Sequence, residues 1–235
     1  MILTPIYNET LFVLYTTNRN IMKNNHVKIV EYFGMPGCGK TTLCGSIKGS
    51  AVIANTDIAT IKDISLAFRK ASIVKKIMSF PWYMLWPLFV LFCKVPFVGR
   101  KHLNLYKIPL LRETFYNFAI RYCKYKLIAC DHGIAQSLIA LIYDNPDSLN
   151  EEFLELIKEV VNKTKASELI YCKVKPETAL QRIRKRNRQT SGRTDVIKDD
   201  KLLLENLYMQ EELYESLAGT IRTTVCNKFT EINND

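Results

Sequence analysis

Only three histidines occur in 235 residues, and the seven cysteines include no C-x-x-C pair. No His or Cys spacing suits zinc. An odd set of unpaired thiols reads as reduced, which places the chain in the cytoplasm. A secretory signal is also missing. Residues 1–25 carry one small apolar run, Leu11-Phe12-Val13-Leu14-Tyr15, with no basic segment ahead of it. Met22 stands just before the first strand signal, so residues 1–25 are expected to be a disordered extension and 26–226 a single domain. No repeat or low-complexity linker divides the chain. Acidic residues are in the minority, 23 against 33 basic ones, for a net charge of +10. That balance favours anionic partners such as nucleotides, nucleic acid or a membrane surface, without choosing among them. The hydrophobic fraction of 48% excludes general disorder, and the length suits one α/β domain, or one with an insertion.

Against this background one motif stands out. Gly34-Met35-Pro36-Gly37-Cys38-Gly39-Lys40-Thr41 fits G-x-x-x-x-G-K-[ST], the phosphate-binding P-loop or Walker A motif. His26 to Phe33 reads as a short strand before it, and Lys40-Thr41-Thr42 opens a helix after it. Strand, glycine loop and helix come in the confirming order. A triphosphate needs converging donors. Glycines let backbone N–H groups approach it closely, and a helix start adds unsatisfied N–H groups. Lys40 is therefore expected on the β- and γ-phosphates, with the Thr41 hydroxyl on Mg²⁺.

Downstream, Ala51-Val52-Ile53-Ala54 reads as a second strand leading to Asp57, a substrate contact or the N-cap of the next helix. Residues 62–76 look helical and basic. Ile77 to Cys93 then holds no charge but carries Trp82, Tyr83, Trp86, Phe89 and Phe92. Pro81, Pro87 and Pro96 interrupt the stretch, and Lys94 closes it short of the roughly 20 residues that span a membrane. The first reading of 77–98 is a pair of short buried helices, folded over the acceptor site or forming a homodimer face. The rival places it in a membrane interface, with Lys75, Lys76, Arg100 and Lys101 on lipid phosphates. The first reading expects a protein that stays off anionic liposomes.

A helix over 103–123 brings Arg112, which faces either a phosphate or solvent. Lys126 to Cys130 is an apolar strand ending in Asp131. An Asp in that place holds Mg²⁺ or polarises the attacking oxygen in P-loop enzymes, and the alternative is a cap for the helix from Ile134. Phe153, Leu156, Ile157 and Val160 share one helical face. Leu169 to Val174 is a strand, and Pro176 opens a helix that becomes very basic. Arg182 and Arg186 share one face of it, and Arg184 and Arg188 nearly the opposite one. A solvated face and an arginine-rich nucleic-acid arm both fit, but behind a P-loop a third reading competes. That reading is a lid, 182–198, whose arginines (Arg193 included) close on the triphosphate. A last helix over about 199–218, a strand over Thr220–Val225 and a fraying tail from Asn227 complete a parallel α/β sandwich of five strands.

The run Val174-Lys175-Pro176-Glu177-Thr178-Ala179-Leu180-Gln181-Arg182-Ile183-Arg184-Lys185-Arg186, with Arg193-Thr194-Asp195 after it, resembles the strand-to-lid segment of thymidylate kinases. With the P-loop and Asp131, the resemblance covers roughly 27–225 in order, thinly between 58 and 124. It implies the nucleoside-monophosphate-kinase version of the P-loop NTPase fold, a parallel sheet in order 2-3-1-4-5 with an ATP-closing lid. Two residues depart from the family. Pro36 replaces the usual acidic residue and is similar to the loop of adenylate kinases. Asp131-His132 stands where the family has Asp-Arg, so an arginine for the acceptor phosphate is missing. Stretch 77–98 has no counterpart.

The expectation is therefore a phosphotransferase using ATP and Mg²⁺. Residues 34–42 bind the phosphates, Thr41 and Asp131 the metal, and Lys40, Asp131, Arg182, Arg186 and Arg193 act in transfer. Asp57, Arg112 and His132 are the acceptor-side candidates, and the acceptor is a small molecule, a thymidylate-like nucleotide first. Nucleic acid is not expected, since no reader motif occurs. The alternative is a nucleotide-binding ATPase or switch acting through a protein or membrane partner.

Overall fold

A nearly apolar run with one charge inside it, Lys28–Phe33, forms the central strand β1, buried from Ile29 onward. The computed structural model describes residues 27–49, 58–94, 100–144, 150–186, 197–224 and 229–235. After β1 come α1 (Lys40–Gly49), β2 (Ile58–Thr60), α2 (Ile61–Lys70), α3 (Ile73–Met78), α4 (Trp82–Lys94), α5 (Arg100–Tyr122) and β3 (Leu127–Cys130). The chain continues through α6 (Ile134–Asp144), α7 (Glu151–Lys163), β4 (Glu168–Lys173), α8 (Pro176–Arg186), α9 (Asp200–Thr224) and β5 (Phe229–Asn233).

The strands make one five-stranded sheet in the order β2-β3-β1-β4-β5, and every pairing is parallel. This is the five-stranded parallel order expected from the sequence. Val30 pairs with Ala129 on one side and Glu168 on the other, which puts the end of β1 beside the end of β3. Helices flank the sheet, as parallel strands buried on both faces require. On α7 the buried residues Phe153, Ile157, Val160 and Val161 form the expected inner face, each adding about 1.5–3 kcal/mol of burial. Its N-cap is Asn150, whose side chain accepts from Phe153 N at 2.9 Å.

Three boundaries differ from expectation. The strand beside β3 is Ile58–Thr60, and the helix after it is capped by Thr60, whose N–H donates to Asp63 at 2.8 Å. Asp57 is therefore not that cap. The supposed strand 51–54, Asp57 itself, residues 1–25 and the lid segment 187–196 with Arg193 lie outside the described residues. Thr220–Thr224 is helix, because Ile221 continues the buried face of Tyr214, Leu217 and Ala218. The final strand is Phe229–Asn233, from within the supposed fraying tail, and it pairs with β4 from Leu169 to Lys173.

The stretch from Ile77 also differs. Within it the described residues hold one helix, α4, which runs through Pro87, and only the last two residues of α3, the two helices parting at Ser79–Pro81. Asn117 of α5 donates to the freed Ser79 carbonyl at 3.2 Å and holds the corner. Met84, Leu88 and Leu91 of α4 are buried, whereas Trp82 and Trp86 are 66% and 69% exposed. The described residues therefore do not cover these aromatics, contrary to the expectation of a pocket wall.

Candidate active site

Three glycines shape the turn between β1 and α1, with φ of +149° at Gly34, +88° at Gly37 and +93° at Gly39. At Gly37 the conformation and the space both demand glycine, since a Cβ would lie 2.8 Å from the Ala179 carbonyl oxygen of α8. The first turn of α8 thus lies in contact with the loop. At Gly39 a Cβ would meet the Asn234 side chain at 2.5 Å, and Asn234 Nδ2 donates to Cys38 O at 2.6 Å. The sequence reading missed Asn234, for it lies beyond the strand misplaced at 220–225.

Lys40 opens α1 and is largely buried. Its ammonium donates to Gly34 O at 2.6 Å and Met35 O at 3.0 Å, and lies 3.3 Å from Cys38 Sγ. A hydrogen bond with Cys172 and the Lys40 charge together lower the Cys38 thiol, against the effect of burial. Met35 is also buried, Pro36 half-buried, and Thr42 exposed. Gly34 N donates to Gln136 Oε1 at 3.2 Å, and Gln136 donates in turn to the Tyr214 hydroxyl. Gln136 of α6 thus braces the start of the loop, and Asn234 after β5 its end.

Across the sheet, the hydroxyl of Thr41 donates to Asp131 Oδ2 at 2.9 Å, joining the loop to the end of β3. These two sequence candidates are 90 positions apart in the chain. A hydroxyl and a carboxylate are hard oxygen donors, the set that fits Mg²⁺ when phosphates and water complete its shell. Among the described residues no group of three His, Cys, Asp or Glu could hold a metal alone.

Beneath this turn lies Glu31, fully buried in β1 and unremarked in the sequence. It accepts from the Tyr116 hydroxyl at 2.6 Å and from Ile134 N at 2.9 Å. A Cβ on Gly133 would come within 2.2 Å of its carboxylate, so the Asp131–Gly133 turn packs onto Glu31. Burial raises its pKa, and the bonds from Tyr116, Ile134 and Ala135 and the nearby Arg112 oppose the rise. The one signal was a charge between the apolar residues Ile29-Val30 and Tyr32-Phe33.

On the acceptor side, His132 follows Asp131 and has an exposed edge. Desolvation lowers its pKa, Asp131 opposes, and the charges of Lys40 and Arg112 lower it further. It is therefore neutral at pH 7. Arg112 of α5 is half-buried, with its Nε buried and unpartnered.

On the other side of the loop, a cavity of about 290 Å³ is lined by Gly39, Thr42, Arg182, Lys185, Arg186 and Asn234. Arg182 and Arg186 share it, and Arg182 Nη1 is buried without a partner. Arg184 points elsewhere, donating to Asp200 at 2.6 Å and to Lys198 O at 3.1 Å.

No family model and no curated protein matches the chain. Among solved structures it is similar to deoxyadenosine kinase from M. mycoides. The form with bound dATP has 16% sequence identity and a TM-score of 0.47, covering 88% of this chain and 91% of that one. The form with bound dCTP has 15% identity and a TM-score of 0.41, covering 88% and 90%. Neither neighbour is a thymidylate kinase.

Proposed function

We propose that the chain is a phosphotransferase that carries the γ-phosphoryl group of ATP to a small nucleoside or nucleotide acceptor, with thymidylate the first to try. The hydrogen bond from Thr41 to Asp131 carries the reading, because it sets a hydroxyl and a carboxylate beside the P-loop lysine. A glycine-rich turn without that pair would be only a turn.

In this reading the loop amides and Lys40 hold the phosphates, and Thr41 and Asp131 would hold Mg²⁺. The metal, when bound, offsets charge on the β- and γ-oxygens. Lys40 must leave the Gly34 and Met35 carbonyls to reach a phosphate, exchanging two neutral acceptors for an anionic one. Arg182 and Arg186 meet the nucleotide from the α8 side and stabilise charge as it develops. Arg193 is proposed to join them from the lid. Arg112 serves the acceptor, where neutral His132 donates a hydrogen bond but no charge. Asp57 is kept as a proposed acceptor contact on sequence grounds alone. No covalent nucleophile is required, since positioning and electrostatics supply the rate.

The test is ATP turnover with Mg²⁺ across nucleosides, nucleoside monophosphates and sugars, with Lys40→Ala as the control. Stimulation by one acceptor class, lowered by about 10²–10³ in the variant, supports the reading. Turnover that no acceptor stimulates overturns it. One observation favours a second reading, a nucleotide-dependent switch: the exposure of Trp82 and Trp86 suits a docking surface better than a pocket. Acceptor-independent ATP turnover would promote it.

A further inference from the structure

The two faces of α4 differ in burial but not in chemistry. Met84, Leu88 and Leu91 recur at i, i+4 and i+7 on the buried face. Trp82, Trp86 and Phe89 repeat the same spacing on the opposite face, 66%, 69% and 57% exposed. A helix that packs one face against a domain ordinarily turns polar residues outward. At about 200 Å² per aromatic side chain, these three leave on the order of 400 Å² of apolar surface open, already near the largest patch of a typical monomer. Ile73 and Ile77 of α3, 73% and 57% exposed, leave further apolar surface on the preceding helix.

The segment that carries this face has charge of one sign. Residues 64–112 contain nine Lys and Arg and not one Asp or Glu. Arg69, Lys70 and Lys75 are exposed beside α3 and α4. Acidic side chains do approach from α7, which packs against α4. Three of them are paired: Glu152 with Lys94, Glu155 with Lys158 and Glu159 with Lys163. The apolar face therefore keeps an uncompensated basic border.

We propose that α3 and α4 dock the protein on the surface of an anionic lipid bilayer, with the Trp and Phe side chains inserted at headgroup depth and the lysines on lipid phosphates. Aromatic rings and basic residues together are the chemistry of interfacial anchoring. No helix among the described residues is long and apolar enough to cross a membrane, so the pair lies in the interface plane. A second copy is the poorer occupant. A two-fold interface sets the same patch against itself, and here that opposes basic borders with no acidic partner. The docking surface is independent of what the P-loop does with its nucleotide.

The test is sedimentation with phosphatidylcholine vesicles, with and without phosphatidylserine, reading tryptophan emission in the same samples. The chain has two tryptophans, both on this face, so the emission reports it alone. Binding should need phosphatidylserine, weaken with salt and shift the emission to the blue. A Lys70→Ala, Lys75→Ala double variant should lower partitioning about 30-fold, the equivalent of ~1 kcal/mol per lysine. Trp86→Ser, at an exposed position, should lose binding while keeping its circular dichroism. No sedimentation with anionic vesicles overturns the proposal, and so does equal, salt-insensitive binding to neutral ones. Emission already blue-shifted without lipid also overturns it, because then a second copy or another part of the chain covers the face.

Discussion

Replacing Glu113 by glutamine should remove a loss of stability that the protein suffers as pH rises towards neutrality. Glu113 lies buried on α5, where its Oε1 accepts from the Tyr83 hydroxyl of α4 and from Lys165 N at 2.9 Å. Its Oε2 is buried with no partner. Burial lifts the carboxyl from 4.5 to about 7, the Tyr83 and Lys165 bonds oppose the rise, and the Glu31 charge adds to it. In the unfolded chain the proton leaves near 4.5, and in the folded one only near 7. Between those values the folded protein keeps a proton that the unfolded chain has lost. Its contribution is thus fully present below 4.5 and declines as pH climbs through 7. At 1.36 kcal/mol per pH unit over that window, the loss is on the order of 3 kcal/mol.

Glutamine keeps the oxygen that serves both donors and has no charge to bury. Its amide N–H group inherits the unpartnered position of Oε2, a penalty that does not vary with pH. Urea unfolding of both proteins at about pH 4 and about pH 8 isolates the effect, since other groups cancel in the difference. The native protein should lose on the order of 3 kcal/mol more than the variant across the interval. Equal losses would refute the reasoning and place the Glu113 charge in water. The bond from Tyr83 ties α4 to α5, so the same measurement reports on the anchorage of the aromatic face.

Three further outcomes follow from the nucleotide side. Arg182→Ala or Arg186→Ala should lower kcat more than it raises KM for ATP, as steady-state kinetics would show, because the proposed role of these side chains is to act on charge that develops during transfer. Arg184→Ala should leave kcat alone and cost no more than about 1 kcal/mol in a melt, since that side chain is spent on Asp200 and Lys198. Gly37→Ala should abolish ATP binding in a calorimeter and cost about 1–3 kcal/mol of stability, because its Cβ meets α8 backbone and its φ is +88°. Unchanged binding there would show that the loop and α8 can separate freely.

Much of the layout was legible because it is written locally. The P-loop lies within a few residues of its strand and helix, and β3 and β4 are continuous apolar runs, as strands covered on both faces must be. Near the chain's other end, propensity misled. Thr220–Val225 is rich in β-branched residues, yet Ile221 belongs to a helical face already buried through Leu207, Tyr214 and Leu217. Tertiary burial decided against intrinsic preference. Glu31 was illegible because its value comes from a turn about 100 residues later, and Asn234 because its partner, Cys38, is 196 residues away. The exposure of Trp82 and Trp86 could not be read either. A period of 3.6 tells which residues share a face, but where both faces are apolar it cannot tell which one is covered.

The position of β5 changes how the site should be understood. Because this strand pairs with β4 as far as Lys173–Asn233, it delivers Asn234 and Asp235 to the same end of the sheet as the P-loop. Asn234 N donates to Lys173 O at 2.9 Å, its side chain donates to Cys38 O, and Asp235 Oδ1 accepts from Lys175 N at 2.7 Å, one residue before α8. One short segment therefore ties the loop to the start of the arginine helix. Gly37 touches that helix directly and Gly39 touches Asn234, so both glycines answer to neighbours in the fold. With each of these partners fixed by a sheet hydrogen bond or a helix start, the loop is shaped before any nucleotide arrives. Such preorganisation is what a site needs when it works through placed charges rather than a covalent step.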